Sequence, residues 1–271
     1  MTYCVAMCLD EGLVFASDSR TNAGIDHIAT FRKLFTFGVP GERLIVLQSA
    51  GNLATSQSVV NLLKQRLDDA GQVNLHSVPT LYEATALVAA TVREVVARDA
   101  APLAGNTDLT CSFLVGGQIA GGPPELYSIY PQGNFIQATE DTPFLQLGES
   151  KYGKPILDRN LEFTTSLAEG LRCALVSFDS TIRSNLSVGM PLDLLVYHRD
   201  SLIVPAGYRV TEEDAYYASI RKQWSAGLHE LLAELPAPPV RYYRPVYYGP
   251  AYYGPRYYGP PHGYYRGYRH W

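Results

Sequence analysis

The sequence predicts an α+β domain with helices lying outside packed sheets, and three observations point there. Apolar segments follow the order strands, helix pair, strands, helix, strand, helix, which is neither strict βαβ alternation nor all-β. The 271 residues are 46% hydrophobic and 18% charged, enough apolar material to bury a sizeable core. The character of the chain changes abruptly after Pro239, so the fold has to be built from residues 1–239.

Taken in order, short apolar runs bounded by turn residues predict strands over 2–9, 13–18, 33–37 and 43–49. Val59, Leu63 and Leu67 share one face of a helix over about 54–69, and Leu81, Ala84, Val88, Val92 and Val95 repeat at helical spacing over 81–99. Strands are predicted again over 109–116, 125–130 and 134–138. Between the first two of these, Gly116-Gly117 and Gly121-Gly122 read as a hairpin connection, without the Lys-Ser/Thr of a phosphate loop. Leu167, Leu171, Ala174, Phe178 and Ile182 mark a helix, followed by a strand over 193–198. The last helix is predicted to start at the capping-box pattern Thr211-Glu212-Glu213-Asp214 and to run through Trp224, Leu228, Leu231 and Leu235.

Residues 240–271 hold 11 of the 20 tyrosines in a short-period run of YYRPV, YYGPA, YYGPR and YYGPP. Recurrent proline prevents a helix and starves a sheet of donors, so an unstructured tail is expected. It carries Arg241, Arg244, Arg256, Arg266 and Arg269 and no acid, so the overall charge of −4 leaves the body acidic. Interleaved Tyr and Arg can stack on single-stranded nucleic acid or on other tails. The reading preferred here is a solvated appendage, with self-association next and nucleic acid not expected as a partner.

No apolar run approaches the roughly 18 residues of a membrane span. No basic residue precedes the first run, which Asp10-Glu11-Gly12 cuts short, so neither a span nor a secretory signal is expected. Cys4, Cys8, Cys111 and Cys173 are too few and scattered for a disulfide framework, which favours a reducing, cytoplasmic setting. There is no HExxH, His27, His76, His198 and His229 stand alone, and Cys4 and Cys8 lack partners at zinc spacing. No metal or cofactor is expected. The segment GESKYG at 148–153 is one residue too long for a nucleophile elbow.

The chemistry candidates stand at the chain start. With Asp10-Glu11-Gly12 as a three-residue loop, Leu9 pairs with Leu13 and Cys4 with Asp18, so Thr2 lies diagonal to Asp18 on one sheet face. Lys33, opening the next strand, can bridge that carboxylate and the Thr2 hydroxyl. Removal of Met1, common before a small residue, would give Thr2 a free α-amine of pKa about 7.7–8.0, able to serve as base for its own hydroxyl.

These residues carry a resemblance. Thr2, the strand-turn-strand LDEGLVFASDSR with Asp18, Lys33, and LIVLQSAGNLATSQ leading into a helix resemble a proteasome β-type subunit. MTYCVAMCLDEGLVFASDSRTNAG and LQLGESKYGKPILDR most resemble the bacterial ancestral β-subunit family, Anbu, over roughly residues 2–235. The resemblance implies a four-layer αββα sandwich, N-terminal-nucleophile hydrolysis of an amide bond, and self-assembly into a ring or an open, helically offset ring. It also implies a peptide or unfolded-protein substrate. Carried over, Thr2 is nucleophile and base, Asp18 holds Lys33, Lys33 lowers the hydroxyl pKa, and the Gly51 N–H faces the oxyanion. Ser150 approximates the serine that binds the terminal amine, and Asn22 and Ala50 line the substrate strand and first pocket. The family pattern Arg-Asp-x-x-Ser departs here: in Arg183-Ser184-Asn185-Leu186-Ser187, Ser184 takes the acid's place. No docking motif for an ATP-driven unfoldase is recognisable, which leaves that partner open.

Structural rivals exist for each residue: Asp18 as a turn acid, Lys33 as a solvated strand residue, Gly51 as a turn glycine, Ser150 as a helix N-cap. At the level of function, a threonine peptidase or amidase stands against a non-catalytic scaffold of the same fold, binding partners through its assembly surface and tail.

Overall fold

A computed structural model of the chain describes residues 2–22, 28–69, 71–100 and 108–239. The expected tail at 240–271 lies outside the described residues.

The chain opens with a hairpin of β1 (Tyr3–Leu9) and β2 (Gly12–Asp18), then a small ribbon of β3 (Arg20–Asn22) and β4 (Ile28–Thr30). Next come β5 (Leu34–Val39), β6 (Arg43–Gly51), α1 (Leu53–Leu67) and α2 (Leu81–Ala100), followed by β7 (Cys111–Ile119), β8 (Glu125–Ile129), β9 (Phe135–Gln137) and β10 (Phe144–Gly148). Two helices follow, α3 (Lys154–Asn160) and α4 (Leu167–Ser184), then β11 (Leu192–His198), β12 (Tyr208–Val210) and α5 (Ala215–Glu234). One five-stranded sheet has the order β10-β1-β2-β11-β12 and the other β5-β6-β7-β8-β9. Every pairing in both is antiparallel.

Strand alternation sorts the apolar residues into three buried layers. Along β1, Tyr3, Val5, Met7 and Leu9 face α3, α4 and the start of α5, meeting Leu157, Ala174, Leu175, Phe178 and Tyr217. The alternate residues Cys4 and Ala6, with Leu13 and Phe15 of β2, meet Leu44, Val46, Leu114 and Leu126 of the other sheet. That second sheet turns Ile45, Leu47, Phe113 and Val115 outward onto Val59, Leu63, Val88 and Val92 of α1 and α2. Helices, sheet, sheet and helices thus stack as the expected four-layer αββα sandwich. Because both faces of each sheet are covered, β1 and β6 read as nearly unbroken apolar runs.

The hairpin register differs from the sequence expectation by one residue. Leu9 pairs with Gly12 and Cys4 with Ser17, so the loop is Asp10-Glu11 alone. Gly12 is a strand residue, paired also with His198 of β11, and a Cβ there would stand 2.0 Å from the Tyr197 carbonyl oxygen. The approach of β11, invisible to local sequence, draws Gly12 into the sheet. Likewise Gly116 and Gly117 lie within β7 and not in its connection, because Phe15 and the Leu44 carbonyl pack where their side chains would be. The last helix starts later than Thr211: Asp214 is its cap, accepting from the Tyr217 amide at 2.8 Å.

Contacts divide the chain at Leu228, and the second unit, from His229, is described only to residue 239. Among the described residues no helix is long and apolar enough to cross a membrane.

Candidate active site

Tyr3 fixes the chain start. Its ring is buried against Phe178, with centroids 4.6 Å apart, and its hydroxyl shares a 2.6 Å hydrogen bond with Ser177 Oγ. Gln146 Nε2 donates to the same oxygen at 2.6 Å. Burial pushes the phenol up to about 12, so it stays a neutral anchor. The Thr2–Tyr3 peptide is held on both sides: the Thr2 carbonyl accepts from the Glu149 amide at 2.8 Å, and the Tyr3 amide donates to Asp18 Oδ1 at 3.1 Å.

The same Oδ1 accepts from Lys33 Nζ at 2.6 Å, and Lys33 gives a second hydrogen bond to the Arg20 carbonyl at 2.7 Å. Asp18 is fully buried and Lys33 nearly so. Burial pushes the Asp18 carboxyl above its ordinary value, while Lys33 and the Tyr3 and Gly189 amides pull the other way. Since one oxygen serves both donors, the ammonium and the peptide next to Thr2 stand within a few ångströms of each other. The register correction explains how this works: Asp18 comes opposite Tyr3, and its carboxylate grips the backbone of the chain start instead of sharing a face with Cys4.

The end of β6 joins this cluster. The Ser49 amide donates to the Lys33 carbonyl at 3.0 Å, and Cys4 Sγ lies 3.7 Å from the Ser49 carbonyl. Ala50 is half-buried at the border of the inter-sheet layer. Gly51 has φ +103°, and a Cβ would stand 2.4 Å from the Thr110 carbonyl oxygen, so no other residue fits without strain. Asn52 then caps α1, accepting from the Thr55 amide at 3.1 Å.

The structure therefore brings Thr2, Asp18 and Lys33 together, with Ala50 and Gly51 following along β6 from Ser49, whose amide meets the Lys33 carbonyl. Ser150 follows at one remove; it does not cap α3, whose N-cap is Gly153, and its amide donates to the Gly148 carbonyl at 2.9 Å. Asn22 closes β3, and its side chain lies outside the described residues. Ser184 is exposed at the end of α4, and the Ser187 hydroxyl donates to Asn185 Oδ1 at 2.5 Å. Cys4 is no rival nucleophile, because burial raises its thiol far above neutrality. Among the described residues no cluster of His, Cys, Asp or Glu could hold a metal ion.

This geometry has relatives. The proteasome subunit family matches residues 2–196. A helical assembly of the Anbu complex from Pseudomonas aeruginosa is 78% identical, with a TM-score of 0.87, over 89% of this chain and all of that one. The chain belongs to the proteasome-subunit family, in its Anbu branch. Anbu from Yersinia bercovieri is 57% identical with a TM-score of 0.84, and Anbu from Hyphomicrobium sp. strain MC1 46% with 0.81, each over 88% of this chain and the whole of theirs. No curated protein matches it.

Within this Anbu chain, sequence reasoning missed Tyr3, Arg20 and Glu149. The Arg20 carbonyl accepts from Lys33 Nζ while Arg20 Nη1 donates to the Leu186 carbonyl at 3.0 Å, tying the α4–β11 loop to the site. Its guanidinium lies against Gly189, where a Cβ would come within 2.3 Å of Cζ. The Asp-Ser-Arg spacing was the available signal for Arg20; nothing local signals Glu149, which reaches Thr2 through the pairing of β10 with β1.

Proposed function

We propose that this protein is a threonine-type peptidase or amidase whose nucleophile is Thr2, exposed by removal of Met1. The observation that carries the reading is the buried Asp18 oxygen shared by Lys33 Nζ and the amide that follows Thr2. Lys33 spends hydrogen bonds on Asp18 and the Arg20 carbonyl, which leaves one ammonium proton for the Thr2 hydroxyl. Its charge favours the alkoxide.

In the first step the Thr2 α-amine takes the hydroxyl proton as Oγ attacks the amide carbon of a bound peptide. The carbonyl π pair moves onto oxygen, and the Gly51 N–H accepts the task of stabilising that oxyanion, where one donor contributes about 2.7–4 kcal/mol. Collapse breaks the C–N bond, the leaving amine takes the proton back from the α-ammonium, and an ester to Thr2 remains. Water then attacks the ester, gives its proton to the α-amine, and releases the acid as Oγ regains a proton. The balance needs no metal or cofactor.

The substrate class is a peptide or unfolded protein, with Asn22 and Ala50 along its strand. The helical assembly of the P. aeruginosa relative supports self-association of this chain into a ring or open helical ring, which would place the site inside a chamber. The test is incubation of the assembled protein with a denatured protein, reading new chain ends by mass spectrometry. New ends that vanish in Thr2→Ala and in Lys33→Ala are expected. Equal cleavage by Thr2→Ala, or none by wild-type protein lacking Met1, overturns the enzyme and leaves the partner-binding scaffold.

A further inference from the structure

We infer that Glu149 is the positioning carboxylate for the Thr2 α-amine, in the role that Ser184 cannot fill. The assignment rests on the threonine-hydrolase reading above. Glu149 stands beside Thr2: its amide donates to the Thr2 carbonyl at 2.8 Å, through a backbone held tight by Gly148, where φ is +78° and a Cβ would lie 1.8 Å from the Thr2 oxygen. The Thr2 nitrogen is two bonds from that carbonyl carbon, well within the reach of a glutamate side chain.

The Glu149 carboxylate is incompletely used. Its Oε2 is buried and has no hydrogen-bond partner. The Lys151 ammonium approaches it only to 3.6 Å, from a side chain that is itself 68% exposed. A buried carboxylate oxygen without a donor is costly, and each such atom calls for a cause. Removal of Met1 supplies one. While Met1 is attached, the Thr2 nitrogen is a neutral amide; afterwards it is an ammonium with three donors, within reach of a carboxylate oxygen that lacks one.

The positions of the family's Asp-x-x-Ser pattern offer no carboxylate here. Ser184 is exposed and uncharged, and the Ser187 hydroxyl already donates to Asn185. Glu149 therefore orients the amine toward the Thr2 hydroxyl, and its charge favours the protonated form, raising the pH at which the free base appears. The other ionisable groups around the chain start are Tyr3 and Cys4 of β1, Asp18 of β2, Arg20 of β3, Lys33 before β5, and Lys151 after β10.

The experiment uses the assembled, Met1-free protein and a peptide epoxyketone, whose ring closes on both the hydroxyl oxygen and the amine nitrogen of an N-terminal threonine. Adduct formation is followed by intact mass as a function of pH. Glu149→Gln is expected to slow the plateau rate at least about tenfold, the equivalent of about 1.4 kcal/mol. It also moves the acid limb down by about one pH unit. Glu149→Asp recovers part of both, and Lys151→Ala changes neither. A Glu149→Gln protein with wild-type plateau and limb overturns the assignment while leaving Thr2 as nucleophile. A wild-type Thr2 that never reacts removes the underlying reading and this assignment with it. Unchanged thermal melting of Glu149→Gln separates positioning from misfolding.

Discussion

Replacing Lys33 by Met strands a charge, and the structure sets the size of the effect. Asp18 is fully buried, and the side chain of Lys33, 5% exposed, is its partner at 2.6 Å. Removing one member of a buried ion pair costs about 3–5 kcal/mol, which for a body of this size lowers the melting temperature by about 6–20 °C. The loss depends on pH. Burial holds the Asp18 carboxyl above its ordinary value, so above pH ~3.9, where the unfolded chain has released this proton, the folded chain gives it up only at a higher pH. Stability from this group is full below that pH and declines as pH rises through the folded value. Without the opposing Lys33 charge the folded value climbs, so the Lys33→Met deficit grows as pH rises, and a lower and a higher pH, about 5 and about 8, compare it. Thermal melts by circular dichroism at the two pH values read it directly. The double variant Asp18→Asn, Lys33→Met, which leaves no buried charge, should recover at least half of the lost stability but no activity. A single variant that melts like wild type at both pH values, or a double variant no better than the single, refutes the stranded-charge argument.

Three further outcomes follow from the same coordinates. Gly51→Ala forces a Cβ to 2.4 Å from the Thr110 oxygen at φ +103°, so it should lose about 1–3 kcal/mol or more in melts and abolish turnover together. Tyr3→Phe leaves Ser177 and Gln146 without their shared oxygen and should cost about 1–3 kcal/mol in denaturant titration, with Thr2 reacting more slowly as its anchor loosens. Truncation after Pro239 should leave the melting temperature of the body unchanged, since Anbu relatives are matched over their whole length by about nine-tenths of this chain.

The sandwich was legible because its long strands are covered on both faces: β1, β6, β7 and β11 announce themselves as apolar runs, and α1, α2 and α4 as stripes of period 3.6. The short elements were not. β3, β4 and β12 have three residues each, too few for a period, and α3 has seven with Pro155 near its start; β9 alone among the short elements fell inside an expected strand, 134–138. β10, with Gln146 breaking its apolar run, owes its place to pairing with β1, far away in sequence. The site divides in the same way. Thr2, Asp18 and Lys33 could be assembled from one hairpin and the strand after it, although the register that did so was off by one, because the demand of β11 on Gly12 is nonlocal. Tyr3 looked like strand filler until Phe178 and Ser177 arrived from α4 to hold it. Glu149 and Arg20 act through partners that only the folded chain brings near, the Thr2 carbonyl in one case and the Leu186 carbonyl in the other.

The most direct measurement is fragment-resolved mass spectrometry of the purified assembly after exposure to a threonine-directed electrophile. The expected result is a chain that begins at Thr2 and carries a single adduct on that residue, absent from Lys33→Met. Met1 retained throughout the assembled protein, or an adduct confined to some other side chain, contradicts it.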